Sequence, residues 1–99
     1  MEKLSIFRKE LDELDTQLMD ILARRFEVCR RVAVYKAEMN IPMMQPERVA
    51  QVKQRAAERA MASGLDEQFG IELYSLIIGQ ACKLEEQIIE QCTPAEAAD

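Results

Sequence analysis

The chain has 99 residues, 48% of them hydrophobic and 31% charged, which fits one small globular domain rather than a disordered chain. Its net charge of −5 argues against nucleic acid or an anionic membrane as the main partner. Its three cysteines have no Cys-x-x-Cys spacing and there is no histidine, so zinc sites and Cys/His nucleophiles lack their residues.

The chain begins without a basic stretch followed by an apolar one, and no apolar run approaches the ~18 residues of a membrane span. With unpaired cysteines, this predicts a reduced, soluble, cytoplasmic protein that does not enter a membrane.

Residues 4–39 form the first predicted element, because they contain no glycine or proline and their apolar residues alternate three and four apart. At 1.5 Å per residue this helix spans about 54 Å. A compact domain of about 100 residues has a radius of gyration near 13 Å, so two shorter helices cannot cover such a rod. We therefore expect an obligate homodimer. The apolar positions are Leu4, Phe7, Leu11, Leu14, Leu18, Ile21, Val28, Val32, Tyr35 and Met39.

A second helix follows the break at Asn40-Ile41-Pro42. Pro46 opens it at a position where the missing N–H costs nothing, and it runs to about Ser63. Gly64 then suits the left-handed residue that ends a helix. Its inward positions are Val49, Val52, Ala56 and Ala60.

The third helix has Asp66 as its expected N-cap and ends near Cys92. The sequence thus predicts an all-α fold of three helices, with a domain over residues 1–93 and a flexible tail over residues 94–99. Its apolar residues are Phe69, Leu73, Leu76, Ile77, Leu84 and Ile88.

Cations interrupt the apolar surface of helix one. The seam of helix one is its row of apolar residues from Leu4 to Met39. Arg25 interrupts this seam between Ile21 and Val28, and Arg8 and Lys36 lie on the neighbouring stripe. Buried cations need a counter-charge, so either their heads reach water or an anionic ligand binds there. Arg25 and Lys36 share a face about 16 Å apart, whereas Arg8 lies about 42 Å from Lys36. In an antiparallel dimer Arg8 would enter the partner's site instead.

Two further charged residues are candidates for the same site. Glu85 falls on an apolar stripe of helix three. It is either one partner of a structural ion pair or an acidic residue of the site. Arg48, one turn into helix two, is either an anion ligand near a helix N-terminus or an exposed surface arginine.

Taken together, these residues resemble the all-helical chorismate mutases over about residues 4–91. The resemblance implies an intertwined helical-bundle homodimer that performs a [3,3]-sigmatropic rearrangement of an enolpyruvyl ether without metal or cofactor. The matching segments are residues 7–15, Leu22-Ala23-Arg24-Arg25, Tyr35-Lys36, Gly64-Leu65-Asp66 and Leu76-Ile77-Ile78.

The same resemblance implies roles for individual residues. Arg8 of the partner subunit and Arg25 would clamp the two carboxylates of the substrate, and Lys36 would approach its ether oxygen. The catalytic residues would be Arg25, Lys36 and Glu85. The substrate-binding residues would be Arg8, Arg25, Lys36, Gln45, Arg48, Val49, Ala81 and Glu85.

Three positions depart from the familiar chorismate mutases and bear on the substrate. Val49 replaces the usual Glu that meets the ring hydroxyl, and Gln45 stands where Asp is frequent. Glu85 replaces a Gln that donates to the ether oxygen, so Glu85 either donates as a protonated acid, the role we favour, or accepts from a C4 ammonium as a carboxylate.

Residues 41–49, with the segment Pro42-Met43-Met44-Gln45-Pro46, resemble a subgroup of 4-amino-4-deoxychorismate mutases and isochorismate-pyruvate lyases. Together with Cys82-Lys83-Leu84-Glu85-Glu86 they are most similar to the former, which act in antibiotic pathways. We therefore expect 4-amino-4-deoxychorismate as the substrate. The alternatives are conversion of chorismate to prephenate, elimination of pyruvate from isochorismate, and a helical dimerisation module without chemistry.

Overall fold

The computed structural model describes residues 2–92 and contains three α-helices and no strand within that range. They are α1 (Glu2–Met39), α2 (Pro46–Ala62) and α3 (Glu67–Cys92). The predicted all-α class and the order of the helices are confirmed, although α1 begins two residues earlier than its apolar pattern indicated. The predicted tail over residues 94–99 lies outside the described residues.

The turns between the helices are closed by the residues that the sequence indicated. Asn40 has a φ of 55°, and the N–H of Ile41 donates to the carbonyl of Lys36 at 2.9 Å, which ends α1. Gly64, with a φ of 75°, ends α2 in the same way. The Asp66 carboxylate then accepts the N–H of Phe69 at 2.8 Å and caps α3.

Helix α3 is the central element, because α1 and α2 both pack against it and not against each other. Gly70 allows α2 to approach closely, since a Cβ there would lie 2.7 Å from the Cβ of Ala60. The buried apolar core is therefore small and built from short side chains. It consists of Ala33, Ala56, Ala57, Ala60, Ile77 and Ala81.

The N-terminal half of α1 extends beyond this core. Every residue from 2 to 21 is exposed, including the apolar residues of its predicted seam. The chain measures 64 × 26 × 17 Å, and its radius of gyration of 17.9 Å exceeds the ~13 Å of a compact domain this size. None of the described helices is long and apolar enough to cross a membrane.

Candidate active site

A cavity of about 480 Å³ opens between the C-terminal half of α1, the start of α2 and the middle of α3. Every predicted site residue except Arg8 contributes to its wall. The remaining lining residues are mostly apolar and come from all three helices and the α1–α2 loop. The wall consists of Arg25, Val28, Cys29, Val32, Lys36, Met43, Met44, Gln45, Arg48, Val49, Val52, Ile78, Ala81, Cys82 and Glu85.

Lys36 and Glu85 form an ion pair across α1 and α3, with 2.9 Å between Lys36 Nζ and Glu85 Oε1. Glu85 is buried, and Lys36 Nζ also donates to the Met43 carbonyl at 2.9 Å. An ammonium has three N–H donors, so these two contacts fix its position and leave one donor for a ligand. An ion pair was one of the two interpretations of Glu85 from the sequence. This pair is present, and it lies in the cavity wall.

Arg25 is held by contacts that leave its charge uncompensated. Its guanidinium lies over the Tyr74 ring, 5.6 Å from the centroid, and Nη1 approaches Cys29 Sγ at 3.9 Å. The ion pairs among residues 2–92 do not include Arg25. The guanidinium can therefore bind an anionic ligand without first breaking a salt bridge.

The start of α2 contributes an amide, a cation and an apolar side chain. Gln45 donates from Nε2 to the Pro42 carbonyl at 2.8 Å, which fixes the amide and leaves its oxygen as an acceptor. Arg48 is exposed and donates to Gln51 at 2.7 Å. Val49 adds no hydrogen-bonding atom to the wall.

The charge balance of the cavity suits a small dianion. Its titratable lining side chains other than the thiols are three cations (Arg25, Lys36 and Arg48) and one carboxylate (Glu85), a sum of +3 − 1 = +2. The surrounding valines, methionines and isoleucine form an apolar wall, and charge interactions beside apolar side chains are stronger than in bulk water. The arrangement therefore fits a compact ligand with two carboxylates and an apolar body.

Several wall residues were not predicted from the sequence. Cys29 and Val32 lie on the same α1 stripe as Arg25 and Lys36, which was the available signal. Burial raises the pKa of the Cys29 thiol, a change that the Arg25 charge opposes. Burial, followed by the Glu85 charge, raises the pKa of the Cys82 thiol. Both cysteines therefore face the cavity as neutral thiols near neutral pH.

Arg8 is the predicted site residue that the structure does not bring to the cavity. It lies in the exposed half of α1, about 42 Å along the helix axis from Lys36. Within one chain it cannot contact a ligand of this cavity, so its predicted role depends on a second subunit.

Comparison with known proteins yields both a family and individual relatives. Residues 7–86 match the family model described as chorismate mutase type II. A 4-amino-4-deoxychorismate mutase of Streptomyces venezuelae is 44% identical over 90% of this chain and 86% of its own length. A protein of the same name from Streptomyces pristinaespiralis is 40% identical over 89% of this chain and 68% of its own length. A chorismate mutase of Methanocaldococcus jannaschii is 30% identical over 92% of both chains.

Proposed function

The chain belongs to the chorismate mutase type II family of isomerases, and we propose that it converts 4-amino-4-deoxychorismate to 4-amino-4-deoxyprephenate. The observation that carries this proposal is Val49 in the cavity wall. Chorismate mutases usually have at this position a Glu that contacts the ring hydroxyl of the substrate. Support also comes from the names of the two Streptomyces relatives.

The proposed reaction needs no nucleophile, because one C–O ether bond breaks while one C–C bond forms within the same molecule. Arg25 and Arg48 would bind carboxylates, and the apolar wall would hold the substrate in a compact conformer. The free N–H of Lys36 would point to the ether oxygen, where negative charge grows as the bond breaks. A fixed donor stabilises such a charge more in the transition state than in the ground state.

Glu85 has two candidate roles in the proposed reaction. As a protonated acid it would donate a second hydrogen bond to the growing charge; as a carboxylate it would hold Lys36 or accept from the C4 ammonium. Glu85 Oε1 lies 2.9 Å from Lys36 Nζ, so both side chains occupy the same part of the cavity wall. We propose that Glu85 acts as the hydrogen-bond donor.

We further propose that the enzyme is a homodimer with composite sites, in which Arg8 of the partner subunit completes each cavity. The exposed seam of α1 supports this, since Leu4, Phe7 and Leu11 are each 44–58% exposed in one chain. Burying such a row against a second α1 stabilises both chains, and an antiparallel pairing carries each Arg8 toward the other chain's Arg25 and Lys36.

A turnover assay run in parallel on 4-amino-4-deoxychorismate, chorismate and isochorismate tests the proposed substrate. We expect the highest kcat/KM on the amino compound, and Lys36→Ala should abolish turnover of every substrate. A higher kcat/KM on chorismate would instead support prephenate formation, the second candidate, which the Methanocaldococcus relative favours. Release of pyruvate from isochorismate as the main activity would contradict both.

A further inference from the structure

A second, smaller cavity of about 180 Å³ lies beside the first, at the Arg25 end and away from Lys36. Arg25 and Arg48 line both cavities, and the second one adds Arg55, Arg59 and Tyr74. Its wall holds four guanidinium groups and no carboxylate, and the ion pairs among residues 2–92 include none of the four. Arg48, Arg55 and Arg59 are exposed in one chain, so water screens part of their repulsion, but four like charges around one small space still attract an anion.

The exposed half of α1 carries the acidic side chains that the wall of the second cavity lacks. Residues 10–20 carry five acidic side chains and no basic one. All of them are exposed, and this part of α1 packs against neither of the other helices. An acidic helical segment without a packing partner therefore matches a basic cavity without a carboxylate.

The geometry of the proposed antiparallel dimer brings the two features together. Asp15 lies seven residues after Arg8, which places it on the same face of α1, about 20° around and about 10.5 Å along the axis. In an antiparallel pair, moving from Arg8 toward Asp15 on one chain means moving from Lys36 toward Arg25 on the other. If Arg8 enters the first cavity, Asp15 therefore arrives at the second.

We propose that Asp15 of the partner subunit enters the second cavity and forms ion pairs with its arginines, an inference that rests on the proposed dimer. Asp15 would then act as a positioning residue, because Arg25 and Arg48 also line the substrate cavity. The subunit that supplies Arg8 would also fix the arginines that bind the substrate's carboxylates.

A charge-exchange experiment tests this contact. Arg59 lines the second cavity and not the first, so Arg59→Asp leaves the substrate-binding side chains in place. Asp15→Lys and Arg59→Asp should each weaken dimerisation at least about tenfold, and the combined variant should recover most of the loss. Glu13→Lys, an exposed acid about 140° from Arg8 around α1, is the matched control and should show no coupling to Arg59→Asp.

A kinetic measurement separates positioning from simple dimer stability. At protein concentrations where sedimentation shows the variant fully dimeric, Asp15→Ala should raise KM by about tenfold with a smaller change in kcat, and Asp15→Glu should retain a normal KM. A contact that served assembly alone would leave KM unchanged under these conditions, which would overturn the positioning role.

The remaining outcomes distinguish this inference from the dimer itself. A folded monomer in sedimentation would overturn both. A dimer in which Arg8 acts in trans, but in which Asp15 and Arg59 show no coupling, would overturn the inference alone. Stabilisation of the intact dimer by inorganic phosphate that disappears in Arg59→Asp would mean that the cavity stays open for a ligand anion, which also overturns it.

Discussion

Among single residues, Val49 is the one to which we assign the proposed choice of substrate. Its isopropyl group faces the cavity, and a carboxylate there would add an acceptor for a ring hydroxyl. We expect Val49→Glu to raise the ratio of kcat/KM on chorismate to that on 4-amino-4-deoxychorismate by at least about tenfold. Parallel kinetics on both substrates measure this ratio, and Val49→Met, which adds no acceptor, should leave it unchanged. An equal loss on both substrates in Val49→Glu would remove Val49 from substrate selection.

Glu85 should contribute to catalysis as a hydrogen-bond donor to the ether oxygen. Glu85→Gln, a neutral donor of similar shape, should then retain most of kcat, whereas Glu85→Ala, which cannot donate, should lower kcat about 100-fold. Steady-state kinetics of both variants, with exposed Glu86→Gln as control, test this. Equal losses of kcat in Glu85→Gln and Glu85→Ala would exclude the donor role.

Arg25 should matter more for ligand binding than for folding. It has no salt bridge among the described residues, and its cation–π contact with Tyr74 contributes about 0.5–2 kcal/mol. Arg25→Ala should therefore change the free energy of unfolding little while weakening substrate binding about 10- to 100-fold. Denaturant titration and KM measure the two effects, with exposed Arg30→Ala as control. A large loss of stability at unchanged KM would assign Arg25 to the fold.

At the scale of the helices, two glycines of α3 make a matched pair. A Cβ on Gly70 would lie 2.7 Å from Ala60 Cβ and 3.1 Å from the Ala56 carbonyl oxygen, whereas a Cβ on Gly79 would meet nothing within 4 Å. Gly70→Ala should force α2 away from α3 and cost about 1–3 kcal/mol. Gly79→Ala should be neutral or stabilise by up to about 1 kcal/mol, because alanine favours helix. Thermal unfolding of both variants tests the α2–α3 contact, and equal effects would contradict it.

The helices themselves were predictable because their ends and faces depend on local chemistry. Proline at the start of α2, Gly64 after it and Asp66 before α3 act within a turn of their own position. The pairing of Lys36 with Glu85, 49 residues apart in sequence, was left open, because periodicity shows which face is buried but not what it meets. The Met43 carbonyl was missed for the same reason. A backbone acceptor in a loop has no signature in the side chains.

At the scale of the whole molecule, the long exposed half of α1 is the feature on which the proposed dimer rests. Its seam is exposed over residues 2–21, and the buried core of one chain consists of five alanines and an isoleucine, with Gly70 and Glu85. The seam was predictable from spacing, but which of its residues a single chain covers depends on where α3 packs. Leu22 is the first residue of α1 that one chain partly covers, so Arg25 and Lys36 lie in the covered half and Arg8 in the exposed half.

Complementation between inactive chains tests this assembly through catalysis. Arg8→Ala chains keep Lys36, and Lys36→Ala chains keep Arg8, so a heterodimer contains one intact composite site and one doubly altered site. A random equal mixture should therefore regain about a quarter of wild-type activity, since half of the dimers are mixed. Mixing Lys36→Ala with Arg25→Ala is the control: both residues line the cavity of a single chain, so neither site of that heterodimer is intact. Because wild-type dimers cannot form in either mixture, recovered activity must come from a site built by two chains. Verified heterodimers of the first pair that remain inactive would show that Arg8 does not act across the subunit boundary.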